Sequence, residues 1–382
     1  MQEIYFDNSA TTKVDGAAAD LAYRVMTEAY GNPSSLHKKG MEAYKILKTA
    51  RRQTAAPLGA EEEEIIFTSG GTEADNLALQ GIAGAYGKRG KHIITTAVEH
   101  PAILNTCKKL EEKGFEVTVL PVDGEGLISL RDLRAAIRKD TVLVSMMLVN
   151  NEVGSIMPVR ETAKILQKQQ RKIFLHVDAV QAFGKMSIKP KLLGIDLLSA
   201  SGHKIQAPKG VGFLYAAKGV RLIPLFGGGG QEDNLRSGTE NLPAIAGLGL
   251  AAEKAMKNLN ENYEQVQTVR QTFLEGLRDL PDWRVHGAAE GLPHVLNIGF
   301  EGVKSEVLLH TLETEGLYVS SGSACAAKKD ALSPVLSAMG LSREEIEGSL
   351  RFSFSSVNTK EEAERAAEIT LKAVTELRKI LK

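Results

Sequence analysis

Cysteine is nearly missing from this chain: Cys107 and Cys325 are its two, far apart and in no Cys-x-x-Cys or histidine-rich setting. That scarcity excludes a disulfide scaffold and argues against a structural zinc site. Neither charge is in excess, with 47 Lys+Arg against 47 Asp+Glu, so the overall charge favours neither direct nucleic-acid binding nor attachment to an anionic membrane. No apolar run approaches the length of a membrane span. The opening residues Met1-Gln2-Glu3-Ile4-Tyr5-Phe6-Asp7 lack the charged start and apolar core of a secretory signal, so a cytoplasmic location is expected. Internal repeats, low-complexity tracts and long Pro/Ser linkers are also missing. What remains, 43% hydrophobic and 25% charged, is the composition of a soluble globular enzyme. At 382 residues the chain is long for one core, which predicts a large domain and a smaller one packed closely together.

From about residue 60 to 216, short apolar runs alternate with amphipathic stretches. Strands are predicted at 64–68, 92–96, 115–119, 142–146, 172–177, 195–199 and 211–215, with helices near 73–86, 101–113, 129–138 and 158–170. Strands separated by helices of that length are βαβ units, hence an α/β domain with a mostly parallel sheet covered on both faces. Ligands of such sheets bind beyond the carboxyl ends of the strands. After Gly227-Gly228-Gly229-Gly230 the pattern changes. One long helical stretch at 243–279 leads to strands near 294–300 and 350–354 and helices near 304–314, 331–339 and 360–381, a second α+β unit completed by the N-terminal residues.

The polar groups at the strand ends carry the chemistry. Lys204 follows an apolar strand in Ser201-Gly202-His203-Lys204. Together with its neighbours it reads as a pyridoxal-phosphate (PLP) site: an aldehyde cofactor needs a lysine amine to hold it, an acid beside its pyridine nitrogen, and donors around its phosphate. Ser201 and His203 are candidate phosphate donors. Asp178, in His176-Val177-Asp178-Ala179-Val180-Gln181, supplies the acid, although a carboxylate there also suits a helix N-cap; Gln181 reaches for the ring's phenolic oxygen. Gly70-Gly71-Thr72-Glu73 opens a helix after a strand, so Gly71 and Thr72 allow close backbone approach to a phosphate at the positive end of the helix dipole. His100, in Glu99-His100-Pro101, lies where a strand turns into a Pro-started helix and suits stacking and proton transfer. Asn151 is a donor for the phenolic oxygen or a substrate carboxylate, and Arg351, in Ser349-Leu350-Arg351-Phe352-Ser353, is a bidentate carboxylate clamp. Thr72, His100, Asn151, Asp178 and Ser201–Lys204 follow separate predicted strands, which is stronger than any one motif. Cys325, in Ser320-Ser321-Gly322-Ser323-Ala324-Cys325, has small polar flanks that predict an exposed, mobile loop and a thiol able to attack sulfur. Cys107, inside a helical pattern, is assigned no role.

With these residues in place the chain resembles the cysteine desulfurases of the NifS/IscS type, PLP enzymes of the aminotransferase-like fold type I. The resemblance runs nearly end to end, through Asp7-Asn8-Ser9-Ala10-Thr11-Thr12, Gly31-Asn32-Pro33-Ser34-Ser35, Gly71-Thr72, His100, Asn151, Asp178, Ser201-Gly202-His203-Lys204, Arg236-Ser237-Gly238-Thr239, the Cys325 segment and Arg351. It implies a large PLP-binding domain, 15–255, with a mostly parallel seven-stranded sheet, and a smaller α+β domain from 1–14 with 256–382. It implies a homodimer in which Thr239 reaches the neighbouring subunit's phosphate, and L-cysteine as substrate, held by Arg351, Asn151 and Asn8. Lys204 and His100 are then the proton-transfer groups. Cys325 takes the substrate sulfur as a persulfide, leaves alanine, and passes the sulfur to an acceptor protein, either an iron–sulfur scaffold or a tRNA-thiolation enzyme. Selenocysteine lyase, or another PLP lyase or aminotransferase of this fold, is the alternative.

Overall fold

A computed structural model describes residues 3–322 and 332–380. Its strands, in chain order, are β1 (Ile4–Tyr5), β2 (Ile65–Thr68), β3 (His92–Thr96), β4 (Glu116–Leu120), β5 (Thr141–Met147), β6 (Phe174–Asp178), β7 (Leu197–Ser201), β8 (Gly212–Ala216), β9 (Trp283–His286), β10 (Val295–Phe300), β11 (Leu317–Tyr318) and β12 (Ser349–Ser353). Seven of them form one sheet in the order β2-β8-β7-β6-β5-β3-β4. The pairs from β7 through β6, β5 and β3 to β4 are parallel; β8 runs antiparallel to both β7 and β2. All strands but β8 therefore point the same way, and their carboxyl ends share one edge.

Two-residue periodicity divides each central strand between two buried layers. Leu175 and Val177 of β6, Leu198 and Ala200 of β7, and Phe213 and Tyr215 of β8 join the core on one face. Phe174, Leu197 and Leu214 turn to the other face, where they meet Leu77, Leu79 and Ile82 of the helix Gly71–Tyr86. Burial on both faces explains why these strands read as continuous apolar runs.

A third core joins Ile4 and Phe6 to Val266, Val269 and Phe273 of the helix Leu259–Gly276, to β10 and β12, and to the helix Lys360–Ile380. Phe273 is packed among Phe6, Phe352 and Phe354, with centroids 6.0, 4.7 and 6.2 Å away. Here β9, β10 and β12 form an antiparallel sheet, while β1 pairs in parallel with β11.

The structure departs from the sequence reading in local detail. The stretch 243–279 is two helices, Leu242–Lys257 and Leu259–Gly276, because Asn258 adopts a non-helical conformation between them. Strand β9 and the N-terminal helices Gly16–Thr27 and Lys38–Ala55 were not expected. No helix among the described residues is long and apolar enough to cross a membrane.

Candidate active site

At the carboxyl edge of the large sheet lies a cavity of about 600 Å³ whose walls include Gly71, Thr72, His100, Asn151, Asp178, Gln181, Ser201, His203, Lys204 and Arg351. Each arrives from a different local device. Gly71 is the first residue of a helix whose N-cap, Gly70, provides no side-chain hydrogen bond, so the first N–H groups remain for a ligand. A Cβ on Gly71 would stand 2.6 Å from Val180 Cγ2, so glycine alone lets this helix end close against the end of β6. His100 is itself the N-cap of the helix Pro101–Glu111: its Nδ1 accepts the Ala102 N–H at 3.1 Å. That bond requires an unprotonated Nδ1, so in the neutral ring Nε2 carries the hydrogen. Burial, with Lys204 acting in the same direction, pulls the imidazole down from its ordinary range, against the field of Asp178.

Asp178 ends β6 and accepts the Val180 N–H through Oδ1 at 2.9 Å. Burial pushes its carboxyl up, while the Val180 bond and the charges of His100 and Lys204 hold it down. Lys204 closes the short turn Gly202–Lys204 after β7 and donates to the Ser9 carbonyl and, at 2.8 Å, to that of Ala10. Gln181 Nε2 donates to the same Ser9 carbonyl at 3.0 Å. His203 Nδ1 lies 3.2 Å from Thr11 Oγ1, and burial with three lysines nearby pushes its ring down to about 4, leaving it neutral.

Arg351, on β12, is 2% exposed. Its Nη2 donates to Asp7 Oδ1 at 2.8 Å and its Nη1 to the Asn151 carbonyl at 3.1 Å, while Nε is buried with no partner among the described residues. A guanidinium has five N–H groups, so donors remain for a carboxylate in the cavity.

Two expected residues lie elsewhere. Asn8 is not among the residues lining the cavity: its Nδ2 donates to the Tyr5 and Ser353 carbonyls and to Asn358 Oδ1 at 3.0, 3.0 and 3.1 Å, tying the N-terminal segment to β12. Thr239 is outside its own chain's cavity too. Cys325 lies outside the described residues.

The sequence reading missed the acids under the site. Glu99 lines the cavity with Oε1 accepting from Thr96 Oγ1 at 2.6 Å and from Met147 N–H at 3.0 Å, and Oε2 buried without a partner among the described residues. Burial pushes its carboxyl up to about 8, so it is protonated at neutral pH. Asp75, also lining the cavity, is pushed well above the carboxylate range by burial and by Asp178. Its position was legible as a charge on the apolar stripe that includes Leu79 and Ile82, three to four residues apart along the helix.

These walls fit PLP. An uncapped helix end with Ser201 and His203 beside it suits a phosphate, a buried carboxyl suits a pyridinium, and a lysine amine among carbonyls suits an aldehyde.

The model of the family "Aminotransferase class-V" matches residues 4–366. The chain is 46% identical over 376 residues, 98% of its length and 93% of the relative's, to a cysteine desulfurase IscS of Methanosarcina thermophila. It is 47% identical over 371 residues, 96% of its length and 97% of the relative's, to a putative cysteine desulfurase IscS 1 of Bacillus subtilis. Among solved structures it superposes on a NifS-like protein with a TM-score of 0.93 at 38% identity, covering 98% of this chain and 100% of that one.

Proposed function

The chain belongs to the class-V aminotransferase family, and we propose that it is a PLP-dependent cysteine desulfurase converting L-cysteine to L-alanine. The observation that carries this reading is the meeting, in one cavity, of Thr72 after β2, His100 after β3, Asp178 and Gln181 at the end of β6, Ser201, His203 and Lys204 at the end of β7, and Arg351 on β12. PLP, when bound, supplies an electron sink that labilises bonds at the substrate's α- and β-carbons.

The protein's own groups do the rest. Lys204 would hold the aldehyde; the helix N–H groups of Gly71 and Thr72, with Ser201 and His203, would receive the phosphate; Asp178 would keep the ring nitrogen protonated. Gln181 and Asn151 would donate to the phenolic oxygen. Arg351 takes the substrate carboxylate. Lys204 Nζ and His100 Nε2 move protons at the substrate carbons. Cys325 attacks the substrate sulfur as thiolate: an S–S bond forms, the substrate C–S bond breaks, and its electron pair takes a proton to leave the methyl group of alanine. The substrate carbon is reduced and the two sulfurs become a persulfide, so no outside oxidant is required. The persulfide then passes its outer sulfur to an acceptor protein, for iron–sulfur assembly or tRNA thiolation.

The active unit is a homodimer. Tyr23, Met26, Tyr30, Leu36, Met41 and Tyr44, all more than half exposed, crowd the first helices and their connection, an apolar face suited to a second copy. Thr239, outside its own cavity, then serves the neighbour's phosphate.

The decisive experiment is intact mass of the purified protein after L-cysteine. A gain of one sulfur on Cys325 with release of alanine, lost in Cys325→Ala, is expected. A protein that binds L-cysteine yet gains no sulfur would transfer the reading to another reaction of the fold, selenocysteine lyase or aminotransferase.

A further inference from the structure

Beneath the cavity, Lys185 is 8% exposed and donates to Gln181 Oε1 at 3.0 Å. Among the described residues this is the one hydrogen bond of its ammonium, and no carboxylate pairs with it. A buried lysine without a counter-ion is costly, so its retention requires a use. Its partner shows which. An ammonium only donates and a carbonyl only accepts. With Lys185 on one side and the Ser9 carbonyl on the other, 3.0 Å from Nε2, the Gln181 amide has one permitted orientation. Turned over, it would set NH₂ against ammonium and oxygen against oxygen. As it stands, the second Nε2 hydrogen is left for whatever occupies the cavity that Gln181 lines. The Ser9 carbonyl also accepts from Lys204, so Lys185 and Lys204 are joined through one amide and one carbonyl.

We propose that Lys185 is a positioning residue, which when protonated locks the Gln181 amide with its N–H face toward the cofactor oxygen and adds a positive charge beside Lys204. The charges around it agree. Lys204 and Arg351 repel Lys185, and Lys185 in turn depresses His203 and His294, both neutral. Asp15 lines the same small cavity as Lys185 but is held by Lys254 at 2.7 Å. Burial with this repulsion pushes Lys185 down to about 7, so it is partly charged at neutral pH.

The inference rests on the PLP reading, and two measurements keep them apart. Lys204→Ala should abolish the visible absorbance of the cofactor-loaded protein; absorbance that persists would sink the PLP reading itself. Given normal absorbance, Lys185→Met should raise the midpoint of its pH titration by about 1 unit, because a neighbouring positive charge that opposed protonation is gone. It should also speed loss of PLP about 3- to 10-fold through the freed amide. Lys185→Arg should restore both toward the original values. If Lys185→Met unfolds, Lys185→Gln, which still donates without charge, must show the raised midpoint. A folded variant with unchanged midpoint and PLP retention would overturn the inference, since a merely structural lysine moves melting temperature and neither of these.

Discussion

Replacing Arg351 with alanine tests the site most directly, because that guanidinium serves two roles that separate assays can read. It holds Asp7 at 2.8 Å and the Asn151 carbonyl at 3.1 Å from within the fold, and it also lines the cavity. Truncating one member of a buried ion pair costs about 3–5 kcal/mol. The Asp7 side chain is 18% exposed, so water recovers part of that, and a loss of about 2–3 kcal/mol in urea unfolding is expected. Substrate affinity should fall further than stability alone explains, by about 2–5 kcal/mol, if Arg351 receives the L-cysteine carboxylate. The assay is a titration with L-cysteine followed by visible absorbance, in a Cys325→Ala background to prevent turnover. Arg351→Lys keeps the charge but not the planar fork, and should bind with intermediate affinity. A stability loss of the expected size with L-cysteine affinity changed less than about twofold would refute the clamp and leave Arg351 as a strut between Asp7 and β12.

Glu99 carries a pH signature. Its folded carboxyl titrates near 8 against 4.5 for an ordinary glutamate, so the folded state binds the extra proton between those values. Stability from this group is therefore fully present below pH 4.5 and falls as pH rises to about 8, by at most about 5 kcal/mol. Glu99→Gln, which mimics the protonated acid, should flatten that decline in unfolding curves taken from pH 5 to 9; an unchanged slope would mean that the drop has another origin. Cys107 is 3% exposed, with its thiol pushed up to about 12 by burial and the fields of Glu99 and Glu111. A native Cys325→Ala protein should accordingly resist an aromatic disulfide reagent and react once unfolded, and rapid native labelling would contradict the burial. Phe273→Ala opens a hole among Phe6, Phe352 and Phe354 and should cost about 3–5 kcal/mol in denaturant unfolding; a loss under 1 kcal/mol would show that the small core closes over it.

The large sheet was legible because its strands are buried on both faces and so write their length directly into the sequence. The same logic placed Thr72, His100, Asp178 and Lys204 at one edge before any distances were known. What the sequence hid was contact between distant segments. Asn8 reads as a free polar residue in a motif, yet its amide nitrogen is bonded three ways across the fold. Glu99 stands beside His100 in the chain, but its protonation depends on burial, which one sequence does not display. Lys185 looks like any lysine after a glycine; only the amide it touches shows its use. The break at Asn258 was invisible because both flanking helices share a continuous helical pattern.

The ties that hold residues 4–10 bear on how the protein is born. Tyr5 pairs with Tyr318, and the Ser9 N–H reaches Ser353 Oγ, 344 residues later in the chain. On the ribosome residues 4–10 emerge long before these partners and wait until residue 353 has been made. Lys204 therefore meets the Ser9 and Ala10 carbonyls in their final positions only after translation has passed Ser353. The nascent large sheet should take up PLP loosely, and tight retention should begin once residue 353 has emerged and paired with Ser9.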